Sequence, residues 1–194
     1  MGSDESVKTP PSPLQQLCER AKLGDEARAL VTDQTSTKQF LGLLVEKELF
    51  KDAIRLVSHL LPKREAIGWG CLCLRNIMAN QPDKPLPPVQ MAAERWVSAP
   101  NEENRWAAKQ TADKEKPKTA SGLLAMGAFF AGPSMAPANV KAVPPPDHMT
   151  SEMVANAVIL AGVVEEPEKA KEKYRLFMQK ASALIARMQQ PPKQ

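Results

Sequence analysis

Residues 61–79 read LPKREAIGWGCLCLRNIMA, and this segment carries the clearest structural information in the chain. At 3.6 residues per turn its apolar and small side chains occupy nearly every direction around a helix axis, while its charges lie mostly near the ends. A helix that is apolar on all sides is buried on all sides, so we predict a central buried helix over about residues 63–79. The apolar and small positions are Ala66, Ile67, Gly70, Cys71, Cys73, Leu74, Ile77 and Met78.

Two glycines, Gly68 and Gly70, lie in the interior of this predicted helix. Each costs up to about 1 kcal/mol relative to alanine at such a position. We therefore expect another helix to cross closely at this point, where only a small residue fits.

The segments on both sides of residues 61–79 also have helical periodicity. The run Phe50–Leu61 places apolar residues at i, i+3, i+4 and i+7, which is typical of an amphipathic helix. Ser36 and Gln39 have the spacing of a capping box ahead of a helix over Thr37–Lys47. The 18 prolines fall between the apolar stretches, where they separate helices.

Signals for β-strands are weak, because aromatic residues make up only 5% of the chain and β-branched residues do not alternate. We predict an all-α fold of about eight or nine short helices, paired as αα-hairpins. We expect the hairpins to form an irregular HEAT-like stack, with a globular orthogonal bundle as the second architecture.

The chain of 194 residues has the length of about one domain. Its 43% hydrophobic and 25% charged residues are ordinary for a soluble globular protein. We expect a flexible tail over residues 1–12, a single helical domain over 13–189 with a Pro-rich loop at 132–146, and a flexible tail over 190–194.

A net charge of +4 raises the question of a nucleic-acid partner. In the most charged run, residues 165–175, lysines alternate with glutamates, which is typical of a solvated helix face. A phosphate-binding surface needs a concentrated basic patch, so we expect no nucleic-acid partner.

Three features predict a cytoplasmic location. Residues 1–13 lack the basic and apolar regions of a secretory signal. The apolar stretches Gly122–Gly132 and Met153–Val164 are shorter than the roughly 20 residues that span a membrane, so we expect no membrane insertion. An odd number of cysteines, three, suits a reducing compartment.

A search for catalytic motifs finds no phosphate-binding loop, dinucleotide-binding fingerprint, nucleophile elbow or zinc-protease motif. Residues two apart on a helix point about 200° from each other, so Cys71 and Cys73 cannot share a metal ion. We therefore expect no catalytic residue, no cofactor and no metal, and predict that the protein is not an enzyme. We assign five residues to the structural core: Trp69, Cys71, Cys73, Trp96 and Trp106.

With no chemistry assigned, we predict a protein–protein interaction module. The final helix, predicted from Pro167 to about Gln189, has an apolar stripe at heptad spacing. The candidate partner-binding residues are Tyr174, Phe177, Leu184 and Met188 on this stripe, with Pro145 and His148 in the long loop. A second copy of the chain could bind through the same helix as a homodimer, whereas core packing within one chain is the other interpretation of the stripe.

Two further roles stay open. The first is an accessory or adaptor component of a bacterial secretion system or another multi-protein system. The second is a small-molecule-binding or enzymatic protein with its site at the 132–148 loop, because long loops often carry function.

The run DAIRLVSHLLPKREAIGWGCLCLR, residues 52–75, resembles an uncharacterised bacterial domain family whose core reads L-P-x-R-E-A-x-x-W-x-C-x-C-x-R. The resemblance extends over about residues 34–188. It implies a small all-helical domain of unknown function and transfers no catalytic residue. The matching residues are Leu61, Pro62, Arg64, Glu65, Ala66, Trp69, Cys71, Cys73 and Arg75.

Overall fold

A computed structural model describes residues 11–32, 34–79, 85–115 and 118–189. This part of the chain contains ten α-helices, one 3₁₀ turn over Pro167–Lys169, and no strand, so the all-α prediction is confirmed. The tenth helix, beyond the eight or nine predicted, is the four-residue α2. The helices are α1 (Pro13–Arg20), α2 (Asp25–Arg28), α3 (Thr37–Glu46), α4 (Phe50–Leu60), α5 (Lys63–Met78), α6 (Pro88–Ser98), α7 (Glu102–Glu115), α8 (Ala120–Phe130), α9 (Met149–Val163) and α10 (Ala170–Met188).

Local signals set several helix starts. At the start of α3, the Ser36 hydroxyl accepts a hydrogen bond from the Gln39 backbone N–H at 3.3 Å, and the Gln39 side chain accepts one from the Ser36 N–H at 3.0 Å. Ser12 forms the same capping box with Gln15 at the start of α1. Pro62 separates α4 from α5 at the N-cap position. These caps satisfy backbone groups that a helix end leaves without a partner.

The predicted tails lie almost wholly outside the described residues, which exclude 1–10 and 190–194. Ser12, at the end of the predicted N-terminal tail, belongs to the domain because it caps α1. The predicted Pro-rich loop is the irregular connection between α8 and α9. Its two arms are tied together, since the Met135 N–H donates to the Val143 carbonyl at 2.7 Å and the Val143 N–H donates to the Ser134 hydroxyl at 3.1 Å.

Helix α5 lies at the centre and packs against α6, α8, α9 and α10. The Trp69 ring is fully buried, and its indole N–H donates to the Phe177 carbonyl of α10 at 3.0 Å. Helix α8 crosses α5 at Gly70, where a Cβ atom would overlap the Leu124 side chain. The close crossing expected at the two glycines is therefore confirmed at Gly70.

One face of α5 is open to solvent. Leu72 is 50% exposed although its neighbours Cys71 and Cys73 are buried. Helices α6 and α10 flank this face and leave a groove between them. The prediction that residues 63–79 are buried on all sides is therefore wrong at Leu72, because an apolar residue is buried only where a neighbouring element covers it.

Contacts between helices that are distant in sequence close the structure. Helix α9 packs on α4 and α5, and α10 packs on α4, α5 and α9. A linear stack would place each helix pair against the adjacent pair only. The observed contacts fit a globular bundle better than a HEAT-like stack.

Helices α7 and α8 are joined by a buried arginine. The Arg105 guanidinium lies against the rings of both Trp106 and Phe129, 5.1 and 4.9 Å from their centroids. It donates two hydrogen bonds to Glu102 and one, of 2.9 Å, to the Phe129 carbonyl. A Cβ at Gly132 would overlap the Arg105 side chain, so glycine is required there. Trp106, which we assigned to the core, is only half-buried at the core's edge.

Candidate partner-binding groove

The open face of α5 forms the floor of a groove of about 610 Å³, which we call the α5–α6–α10 groove. Its apolar surface comes from α5, from the last turn of α6 and from the C-terminal half of α10. The principal lining residues are Arg64, Glu65, Gly68, Leu72, Arg75, Glu94, Val97 and Leu184.

The floor of the groove follows one stripe of α5. Arg64, Gly68, Leu72 and Arg75 have spacings of four, four and three residues, so they lie on the same side of the helix. Gly68 keeps the groove open between the cation and the leucine, since it has no side chain. A Cβ atom added at Gly68 would lie 3.4 Å from a Val97 methyl group, so a larger residue at this position would fill the groove.

An ion pair closes one end of the groove. The Arg75 guanidinium donates to both carboxylate oxygens of Glu94, at 2.7 and 2.5 Å, and joins α5 to α6. This pairing raises the pKa of Arg75 above its usual value. Because the two charges neutralise each other, neither is free to attract a ligand strongly.

Arg64, at the other end, is differently placed. Its Nε donates to the Val97 carbonyl in the last turn of α6 at 2.7 Å, which caps a carbonyl that the helix leaves without a partner. Arg64 is exposed, and no carboxylate of the described residues forms an ion pair with it. Its positive charge is therefore available at the rim.

The wall formed by α10 is also basic. Leu184 lines the groove and is half-buried. Lys180 and Arg187 lie four residues before and three residues after Leu184, hence on the same side of the helix. Neither forms an ion pair with a carboxylate of the described part of the chain.

The two thiols of α5 are unsuited to nucleophilic chemistry. Burial raises the pKa of the Cys71 thiol to about 12 and raises that of Cys73 well above its usual value. Both thiols are therefore protonated at neutral pH, and the thiolate is the reactive form. The structure places these two residues in the core together with Trp69 and Trp96, where the sequence analysis assigned them.

The apolar stripe of α10 divides between core and surface. Tyr174 and Phe177 are buried, and the Tyr174 hydroxyl donates to the Ile159 carbonyl at 2.7 Å. Our expectation that these two side chains bind a partner is therefore wrong, because α4, α5 and α9 already cover them. Leu184 lines the α5–α6–α10 groove, whereas Met188 is 45% exposed and lines a second groove of about 520 Å³ between α3, α4 and α10.

The other predicted partner-binding residues lie at the end of the long loop. Pro145 is half-buried and His148 is exposed. The His148 Nε2 lies 4.0 Å from a carboxylate oxygen of Glu152, whose other oxygen pairs with Lys22. None of these residues lines the α5–α6–α10 groove, so the two sets of predicted residues do not form one site.

His59, on α4, faces the same cluster. Its Nδ1 lies 3.1 Å from the Arg55 carbonyl, and its buried Nε2 has no hydrogen-bond partner among the residues that the structure describes. Burial lowers the pKa of His59, while the charge of Glu152 raises it to a smaller extent. Both histidines of the sequence therefore lie near Glu152. His148 precedes Glu152 by four residues, whereas the proximity of His59 could not be read from sequence spacing, because α4 and α9 are far apart in the chain.

Sequence analysis did not identify the α5–α6–α10 groove. The available signal was the stripe of Arg64, Gly68, Leu72 and Arg75, whose charged ends are unusual for a buried face. Among the residues that the structure describes, no group of three or more His, Cys, Asp or Glu side chains is placed to hold a metal ion. Within the same residues, no helix has both the length and the apolar character needed to cross a bilayer.

Comparisons with known proteins give a family assignment. Searches of the curated proteins and of the solved structures return no match. The sequence model of a family described as "Family of unknown function (DUF6931)" matches residues 40–185, which is well over half of the chain and includes α4 to α9 completely. The matched region contains all the residues that line the groove, although α10 continues beyond it to Met188. The resemblance to an uncharacterised family is confirmed: the chain belongs to this family of unknown function.

Proposed function

We propose that the protein is a protein-binding module without enzymatic activity, and that a segment of its partner docks in the α5–α6–α10 groove. The observation that carries the proposal is the exposure of Leu72 at the floor of this groove, on a helix that is otherwise the centre of the core. A large apolar side chain that lies beside charged rim residues in a concave surface is typical of a protein-binding site.

The chemistry of the groove supports binding rather than catalysis. Its thiol, Cys71, stays protonated at neutral pH because of burial, and its Arg75 and Glu94 side chains are held in an ion pair. The remaining ionisable side chains are Arg64 and Glu65 at the start of α5. Such a set can orient a bound chain, but it lacks the coupled base and nucleophile that covalent catalysis needs.

The adaptor role in a larger assembly is a biological setting for the same activity, since an adaptor also acts through docking surfaces. The alternative of a ligand-binding or enzymatic site at the 132–148 loop draws support from a different observation. The unpartnered Nε2 of His59 lies near Glu152 and His148. We rank this second because His148 and Glu152 already contact each other and Lys22.

The test uses a photo-crosslinking amino acid at position 72, with a matched control at Val140, which is similarly exposed at 55% but lies in the long loop. A protein that is crosslinked to position 72 and not to position 140 is identified and purified. It is then titrated against the native chain, the Leu72→Arg variant and the Val140→Arg variant. We expect Leu72→Arg to weaken binding at least ten-fold and Val140→Arg to leave it unchanged. Equal binding by all three forms, or no crosslink specific to position 72, would refute the proposal.

A further inference from the structure

The charges around the α5–α6–α10 groove indicate the kind of segment that binds there. Arg75 and Glu94 neutralise each other, which leaves Arg64 and Glu65 as the other charged lining residues. Lys180 and Arg187 do not line the groove, but their spacing places them beside Leu184 on α10. Helix spacing thus adds the cations Lys180 and Arg187 on the α10 side to Arg64 on the α5 side, while the floor at Leu72 and the Leu184 wall are apolar. A complementary ligand combines an apolar face with carboxylates on both flanks.

We infer that the occupant of the groove is an acidic amphipathic helix of a partner protein; this inference rests on the proposed function. The distance along the floor supports a helical ligand. Eleven residues separate Arg64 from Arg75, and a rise of 1.5 Å per residue gives about 16 Å, or three helical turns. Three turns present apolar anchors at i, i+4 and i+7, which is the pattern read by helix-binding grooves.

Two other occupants fit the groove less well. A nucleic acid needs cations along the path of its backbone, and the floor at Leu72 presents an apolar side chain instead. A second copy of the chain that docked the end of its α10 would bring Arg187 towards the basic rim of the first copy. Like charges in such proximity oppose association.

The experiment compares three synthetic peptides of about 18 residues, a length at which a helix can form. All carry leucines at i, i+4, i+7 and i+11, and their other positions are mainly glutamate, glutamine or lysine. Binding to the full chain is measured by fluorescence anisotropy at two salt concentrations. We expect the acidic peptide to bind at least about ten-fold more tightly than the glutamine peptide, and the lysine peptide to bind most weakly. Higher salt should reduce the difference in affinity between the acidic and glutamine peptides.

Variants then locate the binding. Arg64→Gln combined with Arg187→Gln should weaken the acidic peptide about five-fold or more and leave the glutamine peptide nearly unchanged. Leu72→Gln should weaken both peptides. Lys141→Gln removes an exposed cation of the long loop and is the matched control for charge. Circular dichroism of each variant verifies that the fold is retained.

The outcomes separate this inference from the proposed function. Equal binding of the three peptides, dependent on Leu72, would overturn the acidic preference and leave a protein-binding groove. If Lys141→Gln weakens binding of the acidic peptide as much as the Arg64 and Arg187 substitutions do, the attraction is unspecific and the inference is overturned. Self-association of the chain in light scattering, abolished by Leu72→Gln, would identify a second copy as the occupant and overturn it as well.

Discussion

Replacing Trp69 by phenylalanine tests whether the junction of α5 and α10 holds the bundle together. The change removes the indole N–H that donates to the Phe177 carbonyl at 3.0 Å in a fully buried environment. The lost hydrogen bond accounts for about 1 kcal/mol of the free energy of unfolding. The smaller ring leaves unfilled volume in the core that costs a further 1–2 kcal/mol, roughly. We therefore expect a decrease of about 2–3 kcal/mol.

Trp96→Phe is the matched control. Trp96 is also buried, with 6% of its surface exposed, but its indole N–H donates no hydrogen bond within the described residues. This variant should lose only the packing contribution, about 1–2 kcal/mol. Urea unfolding followed by circular dichroism measures both variants. At roughly 2–4 °C per kcal/mol for a domain of this size, the Trp69 variant should also melt about 4–12 °C below the native protein. Equal destabilisation by the two changes would refute the role of the hydrogen bond.

Three other predictions concern buried polar groups. Arg105→Lys should lower the free energy of unfolding by about 2 kcal/mol in urea titrations, since lysine lacks the planar fork whose three nitrogens donate to both Glu102 oxygens and to the Phe129 carbonyl. A change below about 0.5 kcal/mol would contradict this prediction. Iodoacetamide at pH 8 should leave Cys71 unmodified in the folded protein and alkylate it in urea, because burial raises the pKa of this thiol to about 12. Mass spectrometry identifies the modified cysteine, and rapid alkylation of Cys71 in the folded protein would contradict its burial. Burial lowers the pKa of His59, so the folded state binds fewer protons than the unfolded state as the pH falls below the unfolded pKa of about 6.5. The folded protein therefore keeps its full stability above that pH and loses part of it as the pH falls towards the pKa of the folded state. His59→Gln should therefore flatten the dependence of stability on pH between 8 and 5.5, and an unchanged slope would rule out His59 as its source.

The helices themselves could be predicted from the sequence. Their starts depend on short-range features, such as the capping box of Ser36 and Gln39 or the N-cap proline Pro62. Their periodicity reports that some face is buried, and the buried positions of α4 agree with it. The glycine at position 70 also signalled a close crossing, because a helix tolerates glycine poorly without a packing reason.

The candidate site could not be predicted in the same way. An apolar side chain has the same pattern whether another helix covers it or leaves it in a groove, so Leu72 was indistinguishable from Leu74. The apolar stripe of α10 was likewise continuous in the sequence, yet α4, α5 and α9 cover Tyr174 and Phe177 and leave Met188 exposed. Which residues of the α10 stripe are buried depends on where the helices packed against it end, and those helices are distant from α10 in the sequence.

The chain's local chemistry thus accounts for its helical character and for the positions of several helix ends, because caps, prolines and backbone hydrogen bonds act within about one turn. The long-range assembly determines which apolar faces become core and which stay open. It buries Arg105 against two rings, brings His59 near Glu152, and places Arg64 of α5 and Leu184 of α10 along one groove. These arrangements depend on contacts between residues far apart in the chain, such as the hydrogen bond from the Trp69 indole to the Phe177 carbonyl 108 positions away, which no local pattern encodes.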